Sequence, residues 1–424
     1  MRFAIILLVF CALFLAGCAE KNAVDSQKAT PALLPEYQPG ETTYGEVNQD
    51  NGITEEGTQY QTPAAGLDRR KLVFSPIIDM TVYNGKLYFL SWSNSAAPTV
   101  WEYVDEKTAP KKSLVIGWYT KPFATNDERF KGRYANLNSL AVFNGKLYAG
   151  GNLGFFGMKS YGEWEYLEYP ALGAKPGTLP VIWKLKVLNG ELYALVTYEI
   201  QTGEYPEGIA TDRLVKFTGS GWQDVPADYA NSGLTQGVDD LAYFKGKYYV
   251  SGNGVVYKRK DDGENGLPYF DWREHNEEFK DSQGEPSLHR SNALGNDGNY
   301  LYACGEGATL SKTSGENWTL VKEFGGEFPY CLFFKQVGGV LYLGVKSDKN
   351  GADNNRGLFK IGEGGVEQVV TIPFNAIRDS SAGVSAMEEY KEEIFVGSKI
   401  GDGFGGLYKL KDGKLEELTF YTED

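Results

Sequence analysis

Apolar and polar residues alternate over short stretches along most of this chain, and the alternation is repeatedly broken by a two-residue turn. In residues 140–151 two apolar, aromatic-containing runs flank Asn144 and Gly145. Asn-Gly between two such runs indicates a β-hairpin with a type I′ turn, which requires positive φ at both central residues. Asn tolerates this conformation, and Gly adopts it without steric strain. The pattern therefore predicts two antiparallel strands.

The hairpin recurs along the chain. The other copies have their turns at Asn84-Gly85, Asn189-Gly190, Lys245-Gly246, Asp297-Gly298, Gly338-Gly339 and Lys391-Glu392. The intervals between turns run from 41 residues (Gly298 to Gly339) to 60 residues (Gly85 to Gly145), which is typical of repeat architectures. A second strand–turn–strand stretch follows each hairpin, as in residues 310–318 and 407–415. Each repeat is thus predicted to be a four-stranded antiparallel meander.

Seven such units follow one another. One four-stranded sheet cannot bury both of its faces, so the units must stack, and radial closure does this with few exposed edges. We therefore expect an all-β fold, a seven-bladed β-propeller of four-stranded antiparallel blades over residues 69–424. Two modes of ring closure stay open: packing of complete blades, since 414–420 supplies an outer strand to the last one, or an added strand from 71–74.

The N-terminus predicts a targeting segment. Arg2 precedes an apolar stretch over residues 5–15, which is shorter than the roughly 20 residues that a membrane-spanning helix needs. It ends in Leu15-Ala16-Gly17-Cys18, which resembles the lipobox of bacterial lipoproteins. The resemblance implies a signal peptide over residues 1–17, acylation (palmitate) of Cys18, and anchoring in the cell envelope. The alternative is an ordinary secretory signal with an incidental cysteine.

Two further features define the expected compartment. Ala19, rather than Asp, follows Cys18, and by the sorting habit of Gram-negative lipoproteins this implies the outer membrane. Residues 18–68 form the lipidated N-terminus and a flexible linker, because Pro, Gly, Thr, Gln and Glu dominate and few large apolar residues are present. As a coil, this linker would span roughly 40 Å. The membrane contact is expected through the lipid anchor alone.

Two short motifs resemble known propeller families. Residues 311–318, Ser-Lys-Thr-Ser-Gly-Glu-Asn-Trp, resemble the Asp-box of sialidase-like propellers, with Thr313 in the place of the Asp. Residues 147–151, Leu-Tyr-Ala-Gly-Gly, are similar to the Gly-Gly segment of Kelch repeats. Together with the lipobox, they imply a bacterial lipoprotein with a Kelch- or Asp-box-like β-propeller. In Asp-box families the box lies far from the active site, so the resemblance implies fold and not activity.

The expected binding surface is the rim that carries the long connections, because long loops on a rigid scaffold concentrate function. These connections are residues 120–131, 197–213, 225–235, 274–287 and 346–356. At the channel mouth and on this loop face we expect Tyr134, Asn136, Arg213, His289, Arg290, Tyr330 and Arg356. Deeper in the channel we expect Asp79, Asn138, Lys184, Asp240, Asn292 and Ser385.

This pattern favours a non-enzymatic binding or scaffold module for a protein or glycan partner at the cell envelope, with no catalytic residue assigned. The net charge of −14, with no basic stripe, argues against a nucleic-acid partner. The alternative is a carbohydrate-active hydrolase or lyase on a sialidase-like propeller. That alternative needs two carboxylates at a defined separation, which a sequence does not reveal.

No cofactor is expected. Residues 348–355 cluster Asp and Asn, but their spacing departs from the EF-hand pattern, so a Ca²⁺ site is not favoured. The two histidines, His275 and His289, lack neighbouring zinc ligands in the sequence. Cys304 and Cys331 remain as thiols after processing, either as a disulfide between neighbouring blades or as two buried free thiols.

Overall fold

The structure is a computed structural model. It describes residues 69–93, 96–116, 137–151, 154–167, 178–200, 211–225, 238–252, 255–260, 269–271, 291–305, 309–315, 317–324, 330–348, 356–371, 381–400 and 404–423. All of them belong to one compact unit that spans residues 60–424. The described part of the chain contains no helix with the length and apolar character needed to cross a membrane.

The described residues form β-strands grouped into consecutive four-stranded units, each a meander in which neighbouring strands pair antiparallel. Unit 1 consists of β2 (Ile77–Tyr83), β3 (Lys86–Ser93), β4 (Ala96–Glu102) and β5 (Lys111–Val115). Unit 2 consists of β6 (Leu137–Phe143), β7 (Lys146–Gly151), β8 (Gly154–Ser160) and β9 (Glu163–Tyr166). Unit 3 consists of β10 (Thr178–Leu188), β11 (Glu191–Ile200), β12 (Thr211–Phe217) and β13 (Trp222–Asp224).

Units 4 to 7 continue the same order. Unit 4 consists of β14 (Asp240–Phe244), β15 (Lys247–Gly252), β16 (Val255–Lys260) and β17 (Tyr269–Asp271), and unit 5 of β18 (Ser291–Asn296), β19 (Leu301–Gly305), β20 (Thr309–Thr313) and β21 (Trp318–Glu323). Unit 6 consists of β22 (Tyr330–Val337), β23 (Val340–Asp348), β24 (Gly357–Gly362) and β25 (Gly365–Val370). Unit 7 consists of β26 (Ser381–Tyr390), β27 (Glu393–Ile400), β28 (Leu407–Lys411) and β29 (Lys414–Glu417). Outside the units, β1 (Arg69–Lys71) pairs antiparallel with β30 (Tyr421–Glu423).

The turn prediction is confirmed by the backbone at the Asn-Gly copies, whereas at Asp297-Gly298 Gly298 alone has positive φ, at 91°. Asn144 and Gly145 have φ of 48° and 69°, and Asn84 and Gly85 have φ of 47° and 67°. These positive values are those of a type I′ turn, whose twist matches that of the strands on either side. The last hairpin uses Lys391-Glu392 at the same two positions, with φ of 52° and 64°. The two strands of this last hairpin therefore keep the same turn geometry although the turn contains no glycine.

The Asp-box-like segment is a hairpin between β20 and β21. The Thr313 hydroxyl accepts a hydrogen bond of 3.0 Å from the Gly315 N–H, so threonine supplies a turn acceptor where the family has Asp. Trp318 pairs with Thr313 across the strands and is buried. The segment thus serves as a turn and a core anchor.

The units are joined side by side by the core. Among the described residues, one cluster of buried apolar side chains lies between each pair of neighbouring units, including the pair formed by units 7 and 1. The 7–1 cluster contains Ile77, Phe89 and Phe395. A Cβ added to Gly397 would come within 2.6 Å of the Ile77 Cγ2 atom, so the backbone of β27 approaches β2 closely.

The first strands of the units lie beside one another in chain order, and β26 lies beside β2. The described first strands therefore form a closed cycle, and the arrangement of four-stranded antiparallel sheets is propeller-like. Units 6 and 7 are also joined by backbone pairing, between residues 346–348 of β23 and residues 381–383 of β26.

The ends of the strands alter two expected connections. In the connection expected over residues 346–356, residues 346–348 belong to β23 and pair with β26. Residues 197–213 were expected to form a long loop, but β11 continues to Ile200 and β12 begins at Thr211, with Tyr198 opposite Thr211. The connection itself is residues 201–210, outside the described residues. The reason is that residues 197–200 and 211–213 have partners in the adjacent strands, which the linear sequence does not display.

Candidate functional site: the central channel

The first strands share an irregularity that shapes the channel. In six of the units that the structure describes, the pairing of the first strand with the second shifts by one residue at the same distance from the turn. In unit 4, β14 begins at that same register position, Asp240. The residues after the shift are Asp79, Ser139, Lys184, Asp240, Ala293, Phe333 and Ala386. A bulge of this kind re-aims the side chains that follow it.

Several of these residues line a cavity of about 310 Å³ at the centre of the cycle. The polar lining comprises Asp79, Thr81, Ser139, Lys184, Lys186, Asp240, Lys335 and Ser385. The apolar lining includes Ile78, Leu332 and Phe333. Side chains two positions apart on a strand point to the same face, so Lys184 and Lys186 contribute two successive layers of charge.

Asp79 connects units 1 and 2. Its carboxylate accepts hydrogen bonds from the N–H of Met80 (2.9 Å), the hydroxyl of Ser139 (3.0 Å) and the N–H of Leu140 (2.7 Å). Two of these donors lie on the neighbouring first strand, β6. The carboxylate therefore fixes the relative position of two first strands and faces the cavity at the same time.

Asp240 plays the equivalent part between units 4 and 5. It accepts hydrogen bonds from the N–H groups of Leu241 (2.8 Å) and Leu294 (3.0 Å). Its other partner is the Lys186 ammonium, 2.6 Å from Oδ1. Burial by itself raises the pKa of Asp240, but Lys186 and Lys184, with the Leu294 amide, hold that pKa below its ordinary value.

Lys186 is fully engaged by acceptors. Besides Asp240, its ammonium donates to the carbonyls of Leu241 (2.7 Å) and Leu294 (3.5 Å). Lys335 of the same layer pairs with Glu388 at 2.7 Å, from β22 to β26. Both lysines therefore hold neighbouring first strands together.

Lys184 differs from the other two lysines. Lys184 lines the cavity, and no hydrogen bond or ion pair holds its ammonium among the described residues. Burial lowers the pKa of Lys184, but the charges of Asp240, Asp79 and Asp239 outweigh it and raise the pKa above the ordinary value. Lys184 is thus a protonated donor that faces the channel.

The structure places the expected channel residues as follows. Asp79, Lys184, Asp240 and Ser385 line the cavity, and Asn138 donates a hydrogen bond of 2.9 Å to the Ile182 carbonyl of the next unit. The side chain of Asn292 lies outside the described residues. The sequence reasoning missed Ser139, Lys186 and Lys335. Ser139 stands at the same distance from its turn as Asp79, Lys186 lies two residues from Lys184, and Lys335 stands at the same distance from its turn as Lys186.

Three of the seven expected rim residues, Arg213, Tyr330 and Arg356, lie within the described residues. Tyr134, Asn136, His289 and Arg290 lie outside the described residues. Tyr330 begins β22, with the Lys346 ammonium 4.4 Å from its ring centre. Arg213 lies on the third strand of unit 3 and pairs with Asp224 at 2.9 Å. Arg356 is buried ahead of β24, where its carbonyl accepts a hydrogen bond from Gln368.

The cysteines and the metal-binding candidates are placed only in part. Cys304 on β19 and Cys331 on β22 form a disulfide with their Cα atoms 5.6 Å apart. No cluster of three metal-ligating side chains occurs within the described ranges. His275, His289 and most of residues 348–355 fall outside them, as does Cys18.

No protein-family model and no curated protein sequence matches this chain. Among solved structures, it is similar to the extracellular domain of BT4673 from B. thetaiotaomicron, with 12% identity and a TM-score of 0.49. That match covers 80% of this chain and 39% of the other, so the chain spans well under half the length of that protein.

Two other solved structures are similar over most of their own length. YCF48, solved bound to D1 peptide, has 13% identity and a TM-score of 0.47, with 83% of this chain and 99% of that chain covered. YjhT has 12% identity and a TM-score of 0.41, with 66% and 96% covered. The strand pairing and the core clusters of this chain make its arrangement propeller-like.

Proposed function

We propose that this protein is an envelope lipoprotein whose seven-bladed, Kelch- or Asp-box-like β-propeller binds a protein or glycan partner on its loop-bearing rim. The observation that carries the proposal is the closed cycle of first strands, with a buried apolar cluster between every pair of neighbouring units. Such a scaffold holds its surface loops in fixed relative positions, which is the usual basis of recognition by loops.

The count of seven blades is supported by two independent features. The sequence repeats its hairpin turn seven times, and the described strands divide into a matching series of four-stranded units. In this proposal each unit is one blade, and β1 with β30 ties the two ends of the ring.

The membrane anchor is supported by the sequence. The proposal assigns residues 1–17 to a signal peptide and Cys18 to the acylated first residue, with residues 18–68 as the tether and the outer membrane as the location. Two or more acyl chains anchor a protein stably where a single chain does not.

The described channel carboxylates do not favour the hydrolase alternative. A general acid needs a carboxyl pKa raised towards the working pH, whereas the pKa of Asp240 is lowered. Asp79 and Asp240 are each held by two backbone N–H groups, which hold them in place as structural acceptors. A binding role therefore fits these residues better than general acid catalysis.

The anchor is tested by metabolic labelling with a palmitate analogue. The full chain should incorporate the label and fractionate with outer membranes, and Cys18→Ser should lose both. Label-free protein that is secreted in soluble form would contradict the anchor and leave the binding proposal standing.

The binding rim is tested by loop replacement in the full chain. Replacing residues 201–210, which join β11 to β12, with a short Gly-Ser turn should leave the melting temperature nearly unchanged and weaken capture of the envelope partner at least tenfold. The matched control replaces residues 261–268, which join β16 to β17 on the opposite rim because strand direction alternates. Equal loss of capture in both variants would overturn the assignment of the rim.

A further inference from the structure

Among the described residues, the Lys184 ammonium lacks the hydrogen-bond acceptors that hold the other two channel lysines. Lys186 has an acid and two carbonyls as acceptors, and Lys335 has Glu388. The Lys184 ammonium carries three N–H donors and faces the same cavity without a partner among the described residues. A buried or enclosed charge that lacks hydrogen bonds is costly, so an acceptor at this position would be strongly favoured.

Asp79 offers the complementary group. Its Oδ2 accepts from Ser139 and Leu140, while its Oδ1 accepts only from the N–H of Met80 among the described residues. A carboxylate oxygen accepts about two hydrogen bonds, so Oδ1 retains capacity for one further donor. Asp79 and Lys184 occupy the same register layer and line the same cavity.

The charge balance selects the class of ligand. Lys186 neutralises Asp240 at contact distance, and Lys184 and Asp79 balance each other without direct contact. A purely anionic ligand beside Lys184 would be repelled by Asp79 and Asp240, and a purely cationic ligand would be repelled by the lysines. A ligand that carries one negative and one positive group can pair with both Lys184 and Asp79. Such a ligand leaves the net charge of the channel unchanged.

We propose that the central channel binds a small zwitterion of the α-amino acid class, with its carboxylate on the Lys184 ammonium and its ammonium on Asp79 Oδ1. The cavity of about 310 Å³ has room for such a molecule together with water, since one water occupies about 30 Å³ in the liquid. Ile78, Leu332 and Phe333 provide an apolar wall for a short side chain. This site does not depend on the partner proposed for the rim.

Isothermal titration calorimetry on the full chain tests the site with glycine and alanine as probes. Both should bind to the wild type, while acetate and methylamine, which each carry one of the two charges, should bind at least tenfold more weakly. Lys184→Met should reduce binding of glycine at least tenfold. Lys159→Met, which removes the same charge from an exposed position, should bind as the wild type does.

A second variant keeps the test decisive if Lys184→Met fails to fold. Thr81 lines the cavity, and Thr81→Leu adds volume there while every charged group stays in place, so it should abolish binding of glycine and alanine. The proposal is overturned if neither probe binds to the wild type, if acetate binds as tightly as glycine, or if Thr81→Leu binds with wild-type affinity.

Discussion

At the scale of single residues, Asp212 is a buried carboxyl whose two oxygens have different surroundings. It lies on β12 with 1% of its surface exposed. The Thr197 hydroxyl donates to its Oδ1 at 2.5 Å, and Trp183 Nε1 donates to the same hydroxyl oxygen at 2.8 Å. Its Oδ2 has no hydrogen-bond partner among the residues that the structure describes. Burial raises the pKa of Asp212 to about 6, against the opposing effect of the Thr197 hydrogen bond.

This raised pKa predicts a specific dependence of stability on pH. A carboxyl whose pKa is higher in the folded than in the unfolded chain destabilises the fold as it ionises, so stability is lost as pH rises from about 4 to 6. A shift from 3.8 to about 6 corresponds to roughly 3 kcal/mol above that window. Asp212→Asn should therefore raise the free energy of unfolding at pH 8 by up to about 3 kcal/mol and differ little from the wild type at pH 4.

Denaturant unfolding at a series of pH values checks this prediction. The control is Asp412→Asn, at an exposed turn position where φ is 49°, a conformation that Asn also tolerates. It should reproduce the wild-type curve. An Asp212→Asn curve parallel to the wild type across the whole range would show that Asp212 does not titrate as described.

At the scale of elements, the joints between units vary in kind. Units 6 and 7 share backbone pairing. The Lys186–Asp240 ion pair joins units 3 and 4, and the hydrogen bond from Leu294 to Asp240 joins units 4 and 5. Units 5 and 6 share a covalent bond. Cys304 and Cys331 lie within the apolar cluster between β19 and β22 and are both buried. The disulfide thus crosses an interface that has apolar packing of its own.

Breaking this disulfide should weaken the protein measurably. The bond closes a loop with a sequence separation of 27 residues, for which the chain-entropy relation gives about 3.5 kcal/mol. Cys304→Ala/Cys331→Ala should lower the free energy of unfolding by that amount, measured by denaturant titration. Added reductant should lower the stability of the wild type and leave the double variant unchanged. An effect of reductant on the double variant would assign the change to something other than this bond.

At the scale of the whole molecule, the two ends of the described chain close the ring. Units 1 and 7 each contain four strands of their own, and β1 and β30 add a two-stranded sheet between the termini. The N–H of Leu72 donates to the Phe420 carbonyl at 2.8 Å. Phe74 packs edge-on against Phe420, with ring centres 6.0 Å apart. Closure therefore uses packing of complete units, and the expected strand from residues 71–74 is replaced by β1, which pairs with β30 in a separate two-stranded sheet.

A cross-strand disulfide should strengthen this closure. Lys71 lies opposite Tyr421, next to the hydrogen-bonded Leu72–Phe420 pair, and such non-hydrogen-bonded pairs have Cα atoms about 4.5 Å apart, within disulfide range. Lys71→Cys/Tyr421→Cys should raise the free energy of unfolding by about 2–4 kcal/mol under oxidising conditions. The gain should disappear with reductant and be absent in Lys71→Cys alone. No oxidised gain would indicate that closure does not limit unfolding.

Local features of the fold were predictable because they depend on residues that are consecutive in the sequence. The Asn144-Gly145 turn, the alternation on either side of it and the buried position of Tyr148 follow from φ preferences and the two-residue period of a strand. The place of Asp79, Lys184 and Asp240 in the channel was predictable for the same reason, since each stands at a fixed distance from its turn. Bulges, strand ends and the Asp212 contacts depend on neighbouring strands.

The sequence alone determined the repeating hairpins, the four-stranded units and the charged character of the first strands, because turn chemistry and side-chain alternation act over a few residues. Only the tertiary structure decided which charges share one cavity and which pair directly. Asp79 and Lys184 come from units 1 and 3, and Lys186 finds Asp240 and Leu294 on two further strands. The pairing of the termini and of Cys304 with Cys331 also arises only when the units are arranged around one axis, since distance in the chain does not indicate distance in the ring.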